Sequence, residues 1–382
     1  MISRRVFLSA AGIALMIPRI AFAQGGGDRR FIFIIQRGAA DGLNIVVPYA
    51  EPAYANLRGA LAIDAASATK LDGMFALHPA LERTAGFYAA GQALFVHATA
   101  SPYRDRSHFD GQNVLETGGV VPYRESDGWL NRLAGLLPQA RERAIALAPT
   151  VPPALRGKVE VASYAPSALP RASDDLMERV ARLYEQDSQF HALWESAMTA
   201  HEQAGDGGNR QDAATIGRQA AAFLAREDGP RIAMIETNGW DTHTGQKQRL
   251  ANQLKALDTL LDALHEGLGA AWDKTTILVA TEFGRTAKAN GTGGTDHGTA
   301  SVAMLVGGAV AGGRVIADWP GLRPGDLYEG RDLKPTLRLD DLIAGAAAEG
   351  LGLDPERVAA RLFASAPNVK PVTGLVVGPR RA

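Results

Sequence analysis

Apolar residues in this chain come in short unbroken runs separated by longer polar or helical stretches. The runs RFIFIIQ (30–36), ALFVHA (93–98), AIALAP (144–149), RIAMIET (231–237), TILVAT (276–281) and SVAMLVG (301–307) predict buried strands. Unbroken apolarity of this kind fits a sheet covered on both faces, so 301–307 is read as parallel like the others. Between the strands lie helical patterns. Leu250, Leu254, Leu257, Leu261, Leu264 and Leu268 form one 3/4-spaced stripe over 246–270, which packs on the sheet. His78-Pro79 opens a helix through about Ala90, because proline is favoured at a first helical position. Ser107 to Thr117 reads as another, and helices close the chain near 340–350 and 355–364. From about 172 to 226 the pattern is helical and polar with a GDGG break at 205–208, which suggests an insertion or cap. Alternating β and α elements predict an α/β fold: a doubly wound, mostly parallel sheet with helices on both faces.

Three loops after or before these strands carry the candidate chemistry: NGWDTHTG (238–245), TEFGRT (281–286) and GTDHGTAS (294–301). Ligands of open α/β sheets bind outside the carboxyl ends of strands, so these loops are expected to converge. Asp241, His243, Asp296 and His297 are ligand types for a divalent metal such as zinc or manganese. Asp241 and Thr242 also suit a helix N-cap, although Thr242 or Thr244 alone could serve that purpose. Glu282 offers a general base and Arg285 a bidentate grip on an anion; a simple Glu–Arg ion pair competes with both. Ser107-His108 opens a helix after a loop holding Arg104 and Arg106. A hydroxyl there sits in a field favourable to anions and suits a nucleophile, with a plain N-cap as the bland account. Arg37 and Asp41 follow the first strand, where Asp41-Gly42 is also a common turn pair. His78 and His97 read as packing or edge residues, and His191, His201 and His265 as helical surface or packing residues.

Charge and composition narrow the setting. Lys+Arg 40 against Asp+Glu 41 gives a net charge of −1, which argues against a nucleic-acid partner. Cysteine is absent, so disulfides and thiolate chemistry drop out. The start Ser3-Arg4-Arg5-Val6-Phe7-Leu8, a weakly apolar run and Ala21-Phe22-Ala23 predict a twin-arginine export signal over residues 1–23. Its apolar run of about 12 residues is shorter than the ~20 of a membrane span. A flexible glycine-rich linker is expected over 24–29 and a single domain from 30 to 382. The expected location is the periplasm, with the twin-arginine machinery as a partner and no stable membrane span.

The runs RGAADGLN (37–44), HPAL (78–81), SPYRDRSHFDGQNVLETG (101–118), DGWLNRL (127–133), NGWDTHTGQ (238–246), TEFGRT (281–286), GTDHGTAS (294–301) and LYEGRDLKPT (327–336) carry a resemblance. The chain resembles the bacterial exported family called domain of unknown function 1501. More distantly it resembles the alkaline phosphatase-like superfamily of phosphatases and sulfatases. That resemblance implies a central parallel sheet with metal and nucleophile loops at strand ends. It places Asp41, Asp241, His243, Glu282 and His297 near metal-ligand positions and Ser107 at the nucleophile. Glu282-Phe283 stands where the superfamily has an Asp-His pair, so one metal or none is expected rather than two. The implied activity is hydrolysis of a small anionic ester, phosphate or sulfate, held by Arg37, Arg104 and Arg106. The alternative is a non-catalytic ligand-binding or assembly protein.

Overall fold

A computed structural model describes residues 28–138, 143–165 and 212–377, with residues 180, 184 and 190–194. The signal segment 1–23, most of the linker and most of the 172–211 region lie outside the described residues.

The strands, in chain order, begin with β1 (Arg30–Gln36), β2 (Val46–Val47), β3 (Thr69–Lys70), β4 (Ala76–Leu77), β5 (Ala93–Ala100) and β6 (Ala144–Leu147). They continue with β7 (Ala162–Ser163), β8 (Ile232–Thr237), β9 (Thr275–Thr281), β10 (Ser301–Val306), β11 (Arg314–Ile316) and β12 (Leu337–Arg338). The large sheet has the order β11-β5-β10-β9-β1-β8-β6-β7, with β12 also on β5. β1 lies inside the sheet, and the late strands β8 and β9 flank it while β6 and β7 lie toward one edge and β5 toward the other. A small antiparallel sheet joins β2, β4 and β3.

Period-two alternation in β1 explains the layers. Phe31, Phe33 and Ile35 enter one core with the helices Trp129–Ala134, Leu339–Leu351 and Pro355–Leu362. Ile32 and Ile34 enter the other, with the helices Glu82–Ala89, Ala213–Leu224 and Gln246–Leu268. All six leucines of the 246–270 stripe are buried, as a helix lying on a sheet requires. Ala220, Ala221, Phe223 and Leu224 share that core, so this end of the 172–226 segment is part of a main layer.

Two expectations are corrected. The helix opened by His78-Pro79 starts only at Glu82, because Ala76–Leu77 is a strand and the His78 amide donates to the Ile45 carbonyl. More consequentially, β10 runs antiparallel to both β5 and β9. No crossover helix separates β9 from β10, and an antiparallel return is what a direct connection permits. The amino end of β10 thus lies at the carboxyl edge of its neighbours. A parallel β10 would have carried Asp296 and His297 to the opposite edge.

Candidate metal centre

Loops leaving β1, β5, β8 and β9 meet at this carboxyl edge, and two glycines let their backbones touch. A Cβ on Gly38, whose φ is +117°, would sit 2.6 Å from the Asp241 amide nitrogen. A Cβ on Gly294 would sit 2.3 Å from the His243 carbonyl. The loops bring His108, Asp241, His243 and His297 face to face.

Each histidine is fixed by an oxygen on its Nδ1 side. His108 Nδ1 lies 2.8 Å from Glu282 Oε1, His297 Nδ1 lies 2.9 Å from the Arg106 carbonyl, and His243 Nδ1 lies 3.1 Å from Asp296 Oδ1. Carbonyls and carboxylates accept, so Nδ1 carries the proton in His108 and His297 and their Nε2 keeps a lone pair, whereas His243 faces a carboxylate from both ring nitrogens. The Nε2 atoms converge. His243 Nε2 is 3.0 Å from His297 Nε2 and 3.1 Å from Asp241 Oδ1, and His297 Nε2 is 3.5 Å from the same oxygen. His108 Nε2 is 3.5 Å from Asp241 Oδ2, and it is buried with no hydrogen-bond partner among the described residues. Donor atoms of His108, Asp241 and His297 all lie within 4.8 Å of one another. Facing lone pairs beside a carboxylate repel unless a proton or cation lies between them. The donor set of imidazole and carboxylate fits zinc or manganese, and the oxygen behind each imidazole is the outer partner that metal-bound histidines use.

Electrostatics support the same arrangement. Burial would raise the Glu282 carboxyl, but hydrogen bonds from His108, Gln112 and the Gly38 amide hold it below the usual range. Burial works against a charged His108, yet the Glu282 bond raises its pKa. His297 is lowered, first by burial and then by nearby His108. Asp241 is lowered although burial opposes it, because the Arg285 guanidinium lies 2.6 Å away. Phe283 stacks on His108 with centroids 5.1 Å apart and packs against His297 at 5.4 Å, closing the apolar side of the cluster.

Other expected site residues have different partners. Asp41 is buried, and Arg58 grips both its oxygens at 2.6 and 2.8 Å while Gln246 donates to one. This carboxylate is locked in an ion pair, not aimed at the histidines. Arg37 bonds Glu116 and Glu236, and Arg106 bonds Asp332 and Glu329, so neither guanidinium faces the cluster without a carboxylate. Arg104 bonds the Ser101 and Tyr103 carbonyls. Ser107 precedes the helix His108–Thr117 as its N-cap, but its side chain makes no capping bond. Asp296 also accepts from Asn290 at 3.2 Å. Gln112, Arg58, Gln246 and Asp332 were not anticipated. Gln112 had a usable signal, since it lies four residues after His108 on one helix face. His97 is fully buried against the Val46 carbonyl, His78 accepts from the Ala80 amide, and His265 packs on Phe87 and Trp272. His201 lies outside the described residues.

A family described as "Protein of unknown function (DUF1501)" matches residues 28–365. No curated protein matches the chain. Among solved structures, the zinc complex of the C-terminal periplasmic domain of EcEptC from Escherichia coli is similar at 9% identity, covering 75% of this chain and 74% of that one, with a TM-score of 0.39. The phosphonate monoester hydrolase of Agrobacterium radiobacter is similar at 12% identity, covering 90% and 79%, with a TM-score of 0.37. A putative sulfatase from Bacteroides thetaiotaomicron is similar at 9% identity, covering 89% and 75%, with a TM-score of 0.37. Likeness at this level transfers no chemistry. Among the described residues no helix is long and apolar enough to cross a membrane.

Proposed function

We propose a function for this chain, which belongs to the DUF1501 family, from its own site. It is an exported hydrolase that acts on a phosphate or sulfate ester with one divalent metal ion. One observation carries the reading: the buried, unpartnered His108 Nε2, its tautomer set by Glu282, faces Asp241 and His297.

His108, Asp241 and His297 would hold the ion. The sequence put His243 among the ligands and His108 among the catalytic groups; the geometry favours the exchange. His243 is the most solvent-open of the three imidazoles, with a side chain 42% exposed, and its partner Asp296 is exposed as well. His243 with Asp296 therefore forms a dyad suited to move a proton at Nε2. When bound, the ion would supply Lewis-acid stabilisation of charge developing on the ester oxygens. Arg285 keeps Asp241 ionised and oriented, and Glu282 and the Arg106 carbonyl keep two imidazoles aimed. The nucleophile is Ser107 or water. Export rests on Arg4 and Arg5 and on the Ala21-Phe22-Ala23 site.

A second reading, a non-catalytic binding protein, draws support from the arginines. Arg37, Arg106 and Arg285 are each neutralised by carboxylates, which weakens the case for a clamp on an anion. Elemental analysis of protein purified without added metal, with assays on p-nitrophenyl phosphate and p-nitrophenyl sulfate, separates the two. Bound metal with hydrolysis abolished in His297→Ala supports the hydrolase. Metal-free, inactive wild type supports the binding protein.

A further inference from the structure

We propose that a cavity on the other side of Arg37 is a second ligand site, for a small apolar molecule carrying a primary amine. The cavity measures about 330 Å³ and lies at the carboxyl ends of β6 and β8, between the helices Ala213–Leu224 and Gln246–Leu268. That edge of an α/β sheet is where ligands bind, and the volume is in the range of small-molecule pockets. None of its lining residues belongs to the metal centre, so the inference does not depend on the hydrolase reading.

Leu147, Ile216, Ile235 and Leu257 supply apolar walls. Two polar groups among them define the chemistry. Gln219 is 2% exposed, and its side-chain carbonyl oxygen has no hydrogen-bond partner among the described residues. A buried acceptor left without a donor is destabilising, so a ligand donor here gains what the fold forgoes. Glu236 lines the same cavity and gives one carboxylate oxygen to Arg37 at 2.6 Å. Arg37 also bonds Glu116 at 2.7 Å, so one guanidinium stands between two carboxylates. Among the described residues Arg37 engages one Glu236 oxygen, which leaves the other to accept from an ammonium group. An amide acceptor and a carboxylate oxygen in apolar walls select a cationic donor, not an anion or a plain hydrocarbon.

The test is calorimetric titration of the full chain with benzylamine and, for comparison, the isosteric benzyl alcohol. Benzylamine should bind saturably at one site, and the alcohol about tenfold more weakly or less, since a charged hydrogen bond is lost. Ala256→Phe, which fills the cavity without touching the Arg37 network, should abolish benzylamine binding in a protein whose circular dichroism is unchanged. Gln219→Leu should weaken benzylamine binding about tenfold by removing the acceptor. No saturable binding, equal affinity for the alcohol, or full binding by Ala256→Phe would each overturn the proposal.

Discussion

Glu282 and His108 lie 174 positions apart in sequence and are joined by a 2.8 Å hydrogen bond. The same Glu282 oxygen accepts from Gln112 and the Gly38 amide, while the other accepts from Thr281, so the carboxylate cannot swing toward an ion. It acts through His108. Glu282→Gln keeps an acceptor for these donors and removes the charge. Loss of an outer-shell partner typically costs 10–100-fold in metal affinity, so the variant should fold and lose about that much in a chelator competition. Unchanged zinc affinity would mean that Glu282 serves packing alone.

His108 and His243 should differ in what they lose. His108→Ala removes a ligand and should yield metal-depleted protein. His243→Ala should keep the metal and lose turnover, because its Nδ1 partner Asp296 equips it for proton transfer. Metal content measured on both variants decides. Depletion in His243→Ala with retention in His108→Ala would restore the assignment that the sequence suggested.

Asp41 is expected to behave as a structural group. Asp41→Asn leaves the fully buried Arg58 without its counter-charge, and breaking such a pair costs about 3–5 kcal/mol. Urea denaturation should show that loss, while the folded fraction retains its metal. A variant of normal stability that binds no metal would instead make Asp41 a ligand.

The layers were legible in the sequence because buried strands are apolar without interruption and the 246–268 helix repeats leucine at 3/4 spacing. The direction of β10 was not. Hydrophobic runs record burial but not orientation, and SVAMLVG reads alike in either sense. The site residues were legible as residue types in strand-exit loops, and Asp241, His243 and His297 do meet. Partnership was not. Arg58 lies in a surface-like stretch, YANLRG, and nothing local marks it as the partner of Asp41. Assigning roles to His108 and His243 required knowing which ring nitrogen each oxygen holds.

Export gives a prediction independent of the site. Replacing Arg4 and Arg5 together by lysine preserves charge but removes the paired guanidinium groups of a twin-arginine signal. Unprocessed precursor should accumulate in the cytoplasm, seen by fractionation and immunoblot. Normal delivery of a chain starting at Gln24 would assign export to the general secretory route.

Acid sensitivity should come in part from His97. Its Nε2 donates to the Val46 carbonyl at 2.9 Å and its Nδ1 accepts the Ala98 amide at 2.8 Å, so the neutral ring is fully satisfied. A second ring proton would point at that amide. Burial, opposed only in part by the Val46 bond, lowers the pKa from 6.5 to about 4. The unfolded chain therefore binds a proton between these values and the folded chain does not. Stability from this residue is complete above pH 6.5 and is lost as pH falls toward 4, by roughly 3 kcal/mol over the window. His97→Gln can donate to Val46 and accept from Ala98 without titrating. Its denaturation midpoint should fall less steeply than that of wild type between pH 6.5 and 4, whatever its stability at neutral pH. Parallel curves for the two proteins would remove His97 from the account and leave acid sensitivity to other groups.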